Sequence, residues 1–206
     1  MAKTQTRRKD TRQRIQDTAL ELFLEHGYEK TSLREIAERL EVTKAALYYH
    51  FKTKEDIVLS LFDRLGTSFD ELIAWAEGEP PTLETRRELL RRLNEELAGS
   101  TPLFRFLQEN QAAMRDMRPG EDFKDRMQSL ARLIIDQEAD VVGRVRSVSA
   151  LFTVYFGGFA VQAMEGPMEE KRAALLQVAD EMLTAAHVRE PGQDAASEDA
   201  SSGDAS

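Results

Sequence analysis

The chain has 206 residues, a length for one large or two small domains, and no cysteine, which excludes disulfides and thiol chemistry and fits a reducing cytoplasm. Its net charge of −9 argues against a nucleic-acid partner only until it is divided along the chain. Residues 1–54 hold 12 Lys/Arg against 8 Asp/Glu, the remainder 16 against 29, so a basic end is joined to an acidic body, the asymmetry expected when one end meets nucleic acid.

Met1–Asp10 carries Lys3, Arg7, Arg8 and Lys9 without apolar periodicity and reads as a basic flexible arm, either a solubilising terminus or a segment that lies along DNA. It has no apolar run of the kind a signal peptide needs. From Thr11 to about His26 a first helix is expected, with Ile15, Ala19, Leu22, Phe23 and His26 on one face and Gly27 as its stop. Tyr28 is expected to pack at its corner, and His26 to serve the negative helix end.

Thr31–Lys54 contains two short helices. Leu33, Ile36, Ala37 and Leu40 form the stripe of a core-facing helix, begun by Ser32 and Glu35 in a capping-box pattern. Glu41-Val42 breaks the period, Thr43 can cap a second helix to about His50, and Thr53 a third from Lys54. On the second helix Ala46, Leu47 and His50 fall on one side, and Lys44, Ala45, Tyr48 and Tyr49 on the other. Two adjacent tyrosines and a lysine on an outer face suit a phosphate-lined groove, since hydroxyls and an ammonium donate to phosphate oxygens while rings and methyls pack on thymine methyls. An ordinary amphipathic helix with two surface tyrosines has the same pattern.

The stretch IAERLEVTKAALYYHFKTKED resembles the helix-turn-helix signature of the tetracycline-repressor (TetR) family of bacterial transcriptional regulators, through Ile36, Ala37, Val42, Leu47, Tyr48, His50, Phe51 and Lys54. Glu41 stands where that family usually has Gly; a turn with positive φ there costs Glu on the order of 1 kcal/mol. The resemblance implies an all-α protein, with a three-helix DNA-binding domain (11–53) followed by a larger helical ligand-binding and dimerisation domain (54–188). It implies contacts to double-stranded, palindromic operator DNA from Thr31, Thr43, Lys44, Ala45, Tyr48, Tyr49, His50 and Lys54. Thr31 and Lys54 would act as backbone clamps at helix starts, where free N–H groups favour an anion.

Beyond Lys54 the periodicity predicts a helix to about Trp75, then helices over about 82–98, 102–117, 121–136, 139–164 and 169–187, giving about nine in all. The segment 147–164 approaches a membrane span in apolar character, but its Ser, Thr and Gln interruptions point to a buried helix and no membrane partner. On this helix Val141, Val145, Val148, Phe152, Tyr155 and Phe159 form one stripe, and Ala150, Val154, Gly157, Gly158 and Val161 a second, small-residue one. The second stripe, with Leu175, Ala179, Met182 and Leu183, is the expected homodimer interface, two helix-interior glycines suggesting close approach of another backbone. A small-molecule effector pocket, implied by the resemblance, is expected among Phe69, Phe106, Asn110, Gln111, Met114, Met127, Phe152 and Tyr155. Residues 189–206, small, polar and acidic, predict disorder.

No catalytic motif, cofactor motif or metal site is found: His26, His50 and His187 lie far apart, and neither G-x-S-x-G nor a P-loop occurs. The expectation is a cytoplasmic, nucleoid-associated regulator, most simply a repressor released by its ligand. The competing readings are an activator or non-inducible regulator, and a helical carrier or interaction module without DNA binding.

Overall fold

The computed structural model describes residues 2–111 and 121–187, with side chains for 10–111 and 124–187. These residues form nine α-helices and no strand. They are α1 (Ala2–His26), α2 (Leu33–Arg39), α3 (Lys44–His50), α4 (Lys54–Glu77), α5 (Leu83–Gly99), α6 (Thr101–Glu109), α7 (Glu121–Ile134), α8 (Val141–Ala160) and α9 (Met168–His187).

Three boundaries differ from the sequence reading. The backbone of α1 is already helical at Ala2, so the basic segment 2–10 continues the helix instead of preceding it as an arm. The helix expected over 102–117 stops at Glu109, because the Asn110 side-chain amide donates to the Phe106 carbonyl (2.8 Å) and competes with the helical pattern. The long helix ends at Ala160, not Met164, and is started by Asp140, whose Oδ1 accepts from the Gly143 amide at 2.7 Å. The expected tail 189–206 lies outside the described residues.

The chain divides into two compact units, 1–74 with 95–128, and 75–94 with 129–206. The first is larger than the three-helix domain expected over 11–53. Its core draws Ile15, Ala19, Leu22 and Phe23 from α1, Ile36 and Ala37 from α2, Leu47 from α3, and Ile57, Val58 and Leu61 from α4. Leu103 and Phe106 of α6 complete it. Phe106 stacks on Phe23 (centroids 5.4 Å apart) and lies 5.8 Å from the Tyr28 ring, which meets Phe23 edge-on at 5.1 Å. α1–α3 bury too little apolar surface to stand alone comfortably, and α4 with Leu103 and Phe106 of α6 supplies the remainder. In the same unit Arg126 of α7 makes a two-pronged bond to Asp70 of α4 (2.7 and 2.8 Å), which holds the Asp70 carboxyl below its usual range. Arg126 passes so close to α4 that a Cβ at Gly66 would lie 2.8 Å from its guanidinium.

The second unit is built on the pairing of α8 with α9, burying Ala150, Leu151, Val154, Ala179, Leu183 and Ala186. Arg87 of α5 reaches α9, bonding Asp180 (2.6 Å) and Thr184 (2.8 Å). Arg86, buried, meets Nε2 of His187 at 2.5 Å, with Asp136 3.6 Å away, so the last turn of α9 is tied to α5 by polar contacts. No helix among the described residues is long and apolar enough to cross a membrane.

Packing of α8 cuts across the two apolar stripes of the sequence reading. The small-residue stripe is used within the chain: Val154 and Gly157 are buried, and a Cβ on Gly157 would sit 2.5 Å from the Leu175 side chain of α9. Ala179 and Leu183 are buried in the same pairing, while Leu175, Met182 and Val161 are half-buried. Gly158 has open space around it. Of the other stripe, Val141, Val145, Phe152 and Phe159 are exposed together with Phe156, while Val148 is half-buried and Tyr155 buried. A helix apolar on both sides carries no periodicity signal that tells inside from outside.

Candidate nucleic-acid interface

The turn between α2 and α3 positions the candidate reading helix. Glu41 has φ +55°, the one non-glycine residue with positive φ among those described. The Val42 amide donates to the Ala37 carbonyl (3.0 Å) and the Glu41 amide to the Glu38 carbonyl (3.2 Å). This pair of bonds defines a Schellman termination, with Glu41 at the left-handed position that glycine normally takes. The turn thus forms as expected, with the strain that Glu brings.

Thr43 caps α3, its hydroxyl accepting from the Ala46 amide at 3.2 Å. Leu47 is fully buried in the core and anchors the helix. The opposite side stands in solvent: Lys44 and Ala45 are exposed, Tyr48 is 44% exposed and Tyr49 60%. His50 is half-buried with its ring edge-on to Tyr49 at 5.3 Å. The division of α3 read from helical periodicity is the one the structure has.

The two clamp candidates behave differently. Thr31 is buried, and its hydroxyl donates to the Gly27 carbonyl (2.9 Å) and lies 3.2 Å from that of Leu22. Its hydroxyl closes the end of α1 and is turned away from solvent. Lys54 is half-buried; its ammonium lies 2.5 Å from the Tyr28 carbonyl, 3.4 Å from that of Glu29 and 4.4 Å from the Tyr28 ring centre. It staples the α1–α2 turn to the start of α4. The Tyr28 hydroxyl donates to Glu55 at 2.8 Å. Burial, then this carboxylate, push the phenol well up, while a backbone amide at Glu55 and then the Tyr28 hydroxyl hold the Glu55 carboxyl below its usual range.

The same region holds cations that periodicity did not single out. The Arg12 guanidinium lies over the Phe51 ring, 4.4 Å from its centre, at the corner where α3 ends. It is exposed and makes no ion pair among the described residues, whereas Arg34, Arg39 and Arg64 nearby in sequence are paired with Glu38, Glu25 and Asp17. Lys52, also exposed, donates to the Tyr48 carbonyl at 2.6 Å. An arginine stacked on an aromatic ring is a long-range pairing, and nothing local in the sequence marks it. The capping box at Ser32 is half-formed: Ser32 accepts from the Glu35 amide (3.2 Å), but the Glu35 carboxylate goes to Nδ1 of His26 (2.7 Å). His26 thereby links α1 to α2.

The expected effector residues are divided between the two units. Phe106 belongs to the core of the first unit, and Phe69 is fully buried there. Asn110 terminates α6 and Gln111 is exposed. Met127 is half-buried, Phe152 is exposed, and Met114 lies outside the described residues. Tyr155 is buried in the second unit, which pushes its phenol up. A groove of about 360 Å³ between α5 and α9 is lined by Arg87, Leu90, Arg91, Ala173, Leu176, Gln177 and Asp180, none of them in that set. Among the described residues no group of three His, Asp or Glu side chains is placed to hold a metal ion.

A capped, solvent-facing second helix behind a Schellman turn, with its partners α1 and α2 beneath it, defines a helix-turn-helix domain. Residues 15–61 match the family described as bacterial regulatory proteins, tetR family. The chain is 38% identical over 90 residues to the transcriptional regulator AcrR of Shigella flexneri, covering 43% of this chain and 42% of that one. It is 34% identical over 97 residues to the regulator TtgR of Pseudomonas putida, covering 46% of each. The chain thus spans less than half the length of the curated relatives it matches. A transcriptional regulator of Aquifex aeolicus shares the fold over 81% of this chain and 96% of its own, with a TM-score of 0.59 and 24% identity.

Proposed function

We propose that the protein is a DNA-binding transcriptional regulator, a homodimeric repressor that leaves a palindromic operator when a small molecule binds its helical body. The observation that carries this reading is α3 itself: a seven-residue helix anchored by one buried leucine, presenting Lys44, Ala45, Tyr48 and Tyr49 to solvent. A helix so short packs little of its own surface, and its outer face combines donors for phosphate with apolar groups for thymine methyls. In this reading Thr43 and His50, at its two ends, add backbone contacts.

A second copy of the chain is the partner for the exposed stripe of α8, where Phe152 and Phe156 stack at 5.7 Å with Phe159 one turn further on. Contiguous rings of this kind on a soluble helix mark an interaction surface. Two heads on one dimer would read half-sites about one helical turn, about 34 Å, apart. The small molecule acts by favouring a state with a different head spacing, since it can shift an equilibrium only through unequal affinity for its two ends.

Duplex selected by the protein from a random pool tests the reading. Enrichment of an inverted repeat is expected, with an association constant that falls steeply with salt as phosphate counterions are released. Lys44→Ala and Tyr48→Ala should each weaken binding by about 1–3 kcal/mol without shifting the melting temperature. Selection of no sequence, or variants that bind like wild type, overturns the assignment of α3.

A further inference from the structure

α1 and α4 are held together by more than apolar packing. Gln16 is 5% exposed and Ser60 4%, two polar side chains inside the otherwise hydrophobic seam between these helices. The Gln16 amide nitrogen donates to the Ser60 carbonyl at 2.9 Å and to its hydroxyl at 2.8 Å. The hydroxyl in turn donates to the Ile57 carbonyl at 2.7 Å. The other end of the amide, Oε1, accepts from Arg64 of α4 at 3.3 Å, and the same guanidinium nitrogen bonds Asp17 of α1 at 2.7 Å. One residue of α1 is thus satisfied at both ends by α4, across 44 to 48 residues of sequence.

The apolar contacts of the seam, Ile15 and Ala19 from α1 and Ile57, Val58 and Leu61 from α4, are non-directional and tolerate small sliding and rotation. Hydrogen bonds in a buried setting do not. A displacement of α4 along α1 strands the Gln16 amide without a partner, and buried amides without partners are strongly disfavoured. The polar cluster therefore sets one register of α4 on α1, while the rest of the seam supplies adhesion. α4 is also the first of three helices that run from one compact unit into the other, residues 54–74 lying in the first and 75–77 in the second, as α5 and α7 do at 94/95 and 128/129.

Building on the operator-reading function proposed above, we infer that Gln16, through Ser60 and Arg64, is the positioning residue that fixes the direction in which α4 leaves the DNA-binding head, and so makes the dimer selective for one half-site spacing. It touches neither DNA nor effector. Removing it leaves each head able to read its half-site and loosens the distance between the two.

The substitution Gln16→Met isolates this role. It preserves side-chain length, and it orphans nothing on α4, because the Ser60 hydroxyl keeps the Ile57 carbonyl and Arg64 keeps Asp17. The experiment measures binding to the inverted repeat selected by wild-type protein, and to versions with one or two base pairs inserted at its centre. Each insertion moves one half-site by about 3.4 Å and turns it by about 35° around the duplex. Wild type should lose at least about tenfold in affinity per insertion, whereas Gln16→Met should stay within about threefold of wild type on the parent site and lose less than about threefold per insertion. Ser60→Ala, which removes one of the two acceptors, should flatten the profile by an intermediate amount. A folded Gln16→Met protein with wild-type spacing penalties overturns the inference, as does one whose affinity falls equally on every spacing. If Gln16→Met does not fold, Ser60→Ala decides alone: a wild-type profile from that variant overturns the inference. Failure of wild type to select any symmetric site is a different result, and it removes the operator reading itself.

Discussion

Two faces of this molecule hold aromatic rings out in solvent, and they differ in what the rings carry. On α3 the rings are Tyr48 and Tyr49, beside Lys44; on α8 they are Phe152, Phe156 and Phe159, beside Val145. The exposures are similar, 44% for both Tyr48 and Phe159, so exposure does not separate the two surfaces. Chemistry does. A phenol tip with a nearby ammonium stays solvated at a wet, phosphate-rich surface, whereas phenyl rings have no polar atom to offer and gain only by leaving water. The chemistry of the first face suits the nucleic acid proposed for it, and that of the second an apolar surface.

The sharpest way to break this contrast is to charge the apolar face. Phe156→Glu should weaken self-association by about 2–4 kcal/mol, the range of a central aromatic anchor, and give a monomer at micromolar concentration in sedimentation. The melting curve should change little, since Phe156 is half out of the chain already. A variant that remains dimeric would move the interface elsewhere. A smaller change tests the edge of the other face. Arg12→Gln should reduce the slope of log affinity against log salt by about 0.9, the contribution of one phosphate, and weaken operator and unrelated duplex alike. Arg12→Lys should keep the slope. An unchanged slope in Arg12→Gln would leave Arg12 as no more than a lid on Phe51. The smallest effect concerns how α3 is presented: Glu41→Gly should raise stability by about 1 kcal/mol in denaturant unfolding, by relieving the positive φ, with operator affinity unaltered. A loss of stability there would mean that Glu41 makes a compensating contact.

What was legible in the sequence follows the range of the interactions. Ser32, Thr43 and Thr53 cap helices through bonds spanning three residues, and all three were readable from spacing. The strained turn at Glu41 and the outward set on α3 are likewise local. The bonds of the Thr31 hydroxyl were not legible, because a threonine before a helix start looks the same whether its hydroxyl faces solvent or, as here, the end of the preceding helix. The inner side of α8 was not legible for a different reason: both stripes are apolar, and only the fit of Leu175 against Gly157 shows which residues face α9. Gln16 gave no signal at all. A glutamine beside the apolar positions of a helix is ordinary until Ser60, 44 residues on, is seen to receive it.

Phe106 has a practical consequence for anyone taking the protein apart. Because its ring lies against Phe23 and Tyr28, a fragment cut after the third helix would carry a hole in its centre where α6 had been. Losing a buried phenylalanine destabilises a small domain by about 3–5 kcal/mol, much of what such a domain has. The helix-turn-helix domain is therefore not a cassette. Chimeras that graft it onto another body at the α3–α4 boundary should inherit a crippled fold, whereas fragments or grafts that retain residues 95–111 keep their plug.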